Sequence, residues 1–127
     1  MPLLLDTQVI IWLEKNDPQL SKKALENIFT EPVLFLSKVS VWEMAIKFKT
    51  DKLVLKQPLE LFIKNFLIAY KCKIMDINLS HIYQTQQLPL HHRDPFDRLL
   101  IAQSAIEQIA IVSADKLFDQ YEIERVW

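Results

Sequence analysis

The sequence predicts a single α/β domain: an open, mostly parallel sheet of about four to five strands, with helices on both faces. Three observations predict it. Short apolar runs recur along the chain, segments of helical period lie between them, and the 127 residues match the usual size of one domain. A chain of this length buries roughly two-thirds of its unfolded surface, enough for a true core.

Leu3-Leu4-Leu5, Val33 to Leu36 and Ile109 to Val112 are short and wholly apolar, as suits parallel strands covered on both faces. Lys73 to Ile77 reads as a weaker fourth strand, and Ile123 to Trp127 as a short fifth at the edge. Gln8 to Lys15 follows the first strand as a helix. Ser21 is placed to cap a helix from Lys22 to Phe29. Ser40 to Lys49 sets Val41, Ala45 and Phe48 on one side. Pro58 to Lys71 opens with proline at a first-turn position. Leu79 to Gln87 is a shorter helix, and Pro95 to Gln108 carries apolar Leu99, Leu100, Ala102, Ala105 and Ile106. The order is β-α-α-β-α-α-β-α-α-β within one domain spanning residues 1–127, with no repeat or linker.

Composition narrows the function. Glycine is absent, against a usual share of about 7%. That excludes the glycine-rich phosphate cradles of the P-loop and the dinucleotide fingerprint. Positive-φ turns must then use Asn or Asp, or be avoided. The formal net charge of −1 excludes a generally cationic surface, so a nucleic-acid partner must be held by a local patch. The lone Cys72 makes neither an intrachain disulfide nor a zinc site by itself, and reads as a buried thiol. No stretch approaches the roughly 18 apolar residues of a membrane span, and Asp6 interrupts the apolar start too early for a signal-peptide core. The expected location is the cytoplasm, with no membrane partner.

The acidic residues carry the chemistry. Sites in open α/β sheets form outside the carboxyl ends of the strands. Asp6 follows the first strand directly, and Asp115 comes just after Ile111-Val112-Ser113. Glu43 lies in the first turn of the helix after the second strand. Asp94 and Asp97 open the helix that precedes the Ile109 strand. All five map to one edge of the sheet. Two carboxylates about 4 Å apart repel by roughly 4 kcal/mol at an effective dielectric near 20, so such a cluster calls for protonation or a cation. Hard oxygen ligands select Mg²⁺ or Mn²⁺ over zinc, and a carboxylate-held Mg²⁺ suits phosphodiester cleavage.

Structural roles compete at some positions. Ser40-Val41-Trp42-Glu43 is also a capping-box pattern, and Glu43 stands one turn from Lys47. Asp94-Pro95-Phe96-Asp97 also reads as an N-cap, a first-turn proline and an acidic third residue. Asp6 ends a buried run, has no adjacent base, and is the hardest to assign to structure alone.

The chain resembles the PIN domains, and among them the VapC-type toxins of bacterial toxin–antitoxin pairs. Leu3-Leu4-Leu5-Asp6-Thr7, Ser40 to Lys47, His92 to Gln103 and Ser113-Ala114-Asp115 carry the resemblance, in order and along essentially the whole chain. It implies a PIN-like three-layer fold and a Mg²⁺- or Mn²⁺-dependent endoribonuclease. Asp6, Glu43, Asp97 and Asp115 would be its catalytic, metal-holding acids, with Asp94 an outer ligand and Thr7 and Ser113 supporting them by hydrogen bonds. It also implies an RNA substrate, a small cognate antitoxin and a homodimer.

Lys38, Lys47, Lys49, Arg93, Arg98 and Lys116 are the candidate RNA contacts. His91 and His92 are adjacent, so they point apart and make a poor metal pair; a loop position without special role is the plainer reading, phosphate contact or acid catalysis the sharper one. Trp12 and Trp42 read as core or interface anchors. The competing function is a Mg²⁺-binding, doubly wound interaction or signalling module without nuclease activity. A receiver of phosphate needs an acceptor Asp at the end of a central strand, and Val33 to Leu36 is followed by Ser37. An Asp-nucleophile phosphatase needs a second Asp two residues after Asp6, where Gln8 stands.

Overall fold

A computed structural model describes all 127 residues. The strands are β1 (Leu3–Leu5), β2 (Leu34–Ser37), β3 (Cys72–Met75), β4 (Ala110–Val112) and β5 (Arg125–Val126). The helices are α1 (Thr7–Lys15), α2 (Lys22–Thr30), α3 (Lys38–Lys49), α4 (Leu59–Ala69), α5 (Leu79–Thr85) and α6 (Pro95–Glu107), with a short 3₁₀ turn at Lys116–Gln120. The sheet order is β3-β2-β1-β4-β5, and every neighbouring pair is parallel. The expected element order holds throughout.

Strand side chains alternate between faces, and two cores result. Leu3, Leu5, Leu34, Leu36 and Val112 pack with Val9 and Ile10 of α1, Ile28 of α2, and Phe62 and Phe66 of α4. Leu4 and Ile111 face the other way, onto Leu100 and Ile101 of α6 and onto Phe118 and Tyr121. Leu4, Leu5, Ile10, Leu100 and Ile111 are fully buried, each contributing about 1.5 to 3 kcal/mol. The edge strands are the least covered: Lys73 and Ile74 of β3 are exposed.

Two expectations change in detail. The capping box at Ser40 is not the start of α3. Ser37 caps that helix by accepting the Val39 N–H (3.0 Å), so Ser40 lies inside the first turn, fully buried. Its side chain is thereby free to meet α1. The second change concerns positive φ. Asn16 and Asp51 adopt it as expected, but so do Lys71 and Gln108. Gln108 ends α6 in the left-handed conformation, where glycine is the usual residue. Cys72 is buried and free, and burial pushes its thiol up to about 12. No helix is long and apolar enough to cross a membrane.

Candidate active site

The parallel register sets the chain reversals after β1, β2 and β4 side by side. Asp6 leaves β1 as the N-cap position of α1. Glu43 reaches the same place from α3, Asp94 and Asp97 from the start of α6, and Asp115 from the turn after β4. A cleft of about 350 Å³ there is lined by Asp6, Glu43, Asp94, Asp97, Asp115 and Lys47. The structure therefore brings all five expected acids together. A larger and more apolar cleft of about 540 Å³ beside Ile11, Val54 and Phe62 contains one carboxylate, Glu14, and cannot assemble such a cluster.

Burial and mutual repulsion dominate the electrostatics. Burial raises Asp6 to about 6, opposed by the Ser113 hydrogen bond and reinforced by the charge of Glu43. Asp97 is raised to about 8, first by burial and then by the charges of Asp6, Asp94, Glu43 and Asp115. These carboxylates hold protons far more tightly than exposed ones, because burial and crowding disfavour their charged forms. Glu43 supplies the sharper sign. Its Oε2 lies 2.9 Å from Lys47 Nζ, but its buried Oε1 has no hydrogen-bond partner. A buried oxygen without a partner costs about 1 to 3 kcal/mol, and a cation among these carboxylates would remove that cost. The donor set is all hard oxygen and fits Mg²⁺ or Mn²⁺.

The supporting contacts divide differently from expectation. Ser113 Oγ donates to Asp6 Oδ2 (2.7 Å) and accepts the Asp115 N–H (3.0 Å), tying the ends of β1 and β4 together. Thr7 Oγ1 does not reach an acid; it donates to Ser40 Oγ (2.8 Å) and fixes α1 against α3. Asp94 serves as the N-cap of α6, its Oδ1 accepting the Phe96 and Asp97 N–H groups. It nonetheless stays at the exposed rim of the cleft. Asp115 Oδ1 accepts the Leu117 N–H.

Of the expected cations, Lys47 pairs with Glu43, and Lys38 pairs with Asp76 at 2.7 Å on the exposed surface. Arg93, Lys49 and Lys116 are exposed. Arg98 is committed elsewhere. Its guanidinium donates to the carbonyls of Thr85, Leu88, Pro89 and His92, at 2.7 to 3.1 Å, so it holds the loop before α6 rather than presenting charge to a ligand.

His92 is the residue that sequence reasoning undervalued. His91 is exposed and turns toward Tyr121, whereas His92 is buried. Its Nε2 lies 2.8 Å from Asp115 Oδ2 and 3.1 Å from Asp97 Oδ2. The available signal was position: a histidine two residues before a capping aspartate, at the mouth of an acidic helix start.

The sequence matches the PIN domain family over residues 3–124. No curated protein matches it. Among solved structures, VapBC2 from Rickettsia felis bound to a promoter DNA fragment superposes with a TM-score of 0.73 at 15% identity, covering 100% of both chains. The DNA-bound VapBC of Salmonella typhimurium gives 0.71 at 16% identity, covering 98% of this chain and 96% of that one. Those likenesses show a shared fold. With the family match running nearly end to end and its acids converging in one cleft, the chain belongs to the PIN domain family.

Proposed function

We propose that this protein is a Mg²⁺- or Mn²⁺-dependent endoribonuclease that cleaves RNA phosphodiester bonds and serves as the toxin of a type II toxin–antitoxin pair. The observation that carries the reading is the converged acidic cleft with its buried, unpartnered Glu43 Oε1. Asp6, Glu43, Asp97 and Asp115 would hold the cation, with Asp94 at the rim. When bound, the cation supplies Lewis-acid activation of the phosphate and of the attacking water.

The remaining work falls to the chain. Ser113 fixes the Asp6 carboxylate, and Asp115 is held from its backbone. Thr7 and Ser40 lock α1 to α3 and so set where Glu43 stands. Lys47 balances one Glu43 oxygen while leaving the other open. Lys38, Arg93 and Lys116 would supply the contacts to an RNA backbone. Their effect is local, in keeping with the net charge of −1.

The two similar complexes contain partner proteins by their description, which supports an antitoxin for this chain. Exposed apolar side chains on α3 and α5, among them Trp42, Ile82 and Tyr83, suit the face of a homodimer. Action on RNA with these partners fits the cytoplasm. The signalling alternative gains nothing: Ser37 ends β2 and its hydroxyl caps α3, leaving no phosphate-accepting carboxylate there.

The test is cleavage of an RNA pool by antitoxin-free protein with Mg²⁺, with Mn²⁺ and with a chelator. Metal-dependent cuts are expected, lost in Asp6→Asn and Asp97→Asn. Undiminished cleavage by both variants, or no cleavage of total host RNA, would refute the reading.

A further inference from the structure

We infer that His92 is a positioning residue of the acidic site: it spaces the Asp97 and Asp115 carboxylates with one Nε2–H and does not itself bind the cation. The inference rests on the proposed metal site and adds a role for a residue outside the acidic set. One atom each from His92, Asp97 and Asp115 lies within 4.8 Å of the others. Distance alone would allow the imidazole to be a third ligand. The hydrogen bonds argue against it. His92 Nδ1 accepts the Asp94 N–H at 3.3 Å, so Nδ1 bears the lone pair and the hydrogen of the neutral ring sits on Nε2. That nitrogen faces two carboxylate oxygens, at 2.8 and 3.1 Å. A donor in this position has no lone pair to give a metal.

The ring is held on every side. The His92 N–H donates to Tyr121 Oη (2.8 Å), and Tyr121 in turn donates to Pro89 O (2.7 Å). The His92 carbonyl accepts from Arg98. The imidazole lies 5.6 Å from the Phe118 ring, centroid to centroid. The backbone of the loop before α6 therefore aims one N–H at a fixed point between two acids. It donates to Asp115 Oδ2 and keeps Asp97 Oδ2 in contact at 3.1 Å, leaving Asp97 Oδ1 to turn to the cleft. Donors behind ligating carboxylates orient them and typically govern metal affinity by about 10- to 100-fold.

The experiment compares His92→Gln with His92→Met by titrating Mn²⁺ into the full-length protein without RNA, following free Mn²⁺ by electron paramagnetic resonance. The two side chains have similar length, and only glutamine keeps a terminal N–H. Mn²⁺ affinity within about threefold of wild type in His92→Gln, with a loss of about tenfold or more in His92→Met, is the expected result. Equal losses in both would overturn the inference in favour of the imidazole as a ligand. Unchanged affinity in both would overturn it by showing the contact to be idle. Should His92→Met not fold, His92→Leu takes its place as the variant without a terminal N–H, read against His92→Gln by the same thresholds. Failure of the wild type to bind Mn²⁺ would instead overturn the metal site itself.

Discussion

Asp97→Asn should stabilise the metal-free protein while removing its response to metal. In the folded chain Asp97 rises from 3.8 to about 8. At about 1.4 kcal/mol per tenfold in proton affinity, that gap corresponds to on the order of 6 kcal/mol. Four neighbouring acids share the cause and relax together, so about 2 to 3 kcal/mol is the working figure. Because the folded value lies above the unfolded one, the protonated carboxyl stabilises the fold at low pH. That stability drains away as pH rises from 3.8 through about 8. Asparagine has the same shape and no charge to repel, so it escapes the loss. Urea unfolding in chelator, followed by tryptophan fluorescence, reads the effect. The variant and wild type should be nearly equal at about pH 4, with the variant pulling ahead toward pH 8 and the gap then constant. Mg²⁺ at about 1,000 times its Kd should reverse the order, since it adds roughly 4.1 kcal/mol to a protein that binds it. A variant less stable than wild type at pH 8 in chelator, or a gap that ignores pH, would refute the electrostatic reasoning.

Other perturbations have equally definite outcomes. Ser113→Ala removes the hydroxyl between Asp6 and Asp115 and should weaken Mn²⁺ binding about tenfold in a direct titration. Arg98→Met strips four carbonyls of their donor and should cost about 3 kcal/mol, with faster amide hydrogen exchange across residues 85–92. Lys116→Met, at an exposed position, should leave the urea midpoint unchanged while flattening the salt dependence of RNA binding. Lys71→Gly and Gln108→Gly relieve left-handed backbone at exposed positions and should each raise stability by about 1 kcal/mol, read as a higher urea midpoint with an unchanged slope.

The fold was legible because its signals are local. Leu3-Leu4-Leu5 and Ile111-Val112 can be strands only if both faces are covered, and parallel connectivity then fixes where their ends meet. Asp6 and Asp115 were legible for the same reason, each being the first carboxylate past a buried run. Glu43 reaches the expected sheet edge but not from the first turn: α3 starts at Lys38 with Ser37 as its cap, which puts Glu43 in the second turn, and a shift of under one turn leaves it at the same edge. What the sequence concealed depends on contacts between distant segments. Thr7 meets Ser40 across 33 positions, and His92 meets Asp115 across 23. Arg98 looked like an exposed cation because nothing in the residue shows that a preceding loop will curl its carbonyls around it. Lys71 and Gln108 take positive φ because a chain without glycine must still end its helices, and tertiary packing bears the local strain.

The central claim is that Asp6, Glu43, Asp97 and Asp115 share a bound cation. The most direct measurement is anomalous scattering from a crystal of the protein soaked in Mn²⁺. The account predicts a peak in the cleft ringed by oxygens of these carboxylates at about 2.0 to 2.3 Å, with Glu43 Oε1 among them and His92 Nε2 outside the coordination shell. No peak in the cleft, or one held by His92 with Glu43 turned away, would contradict it.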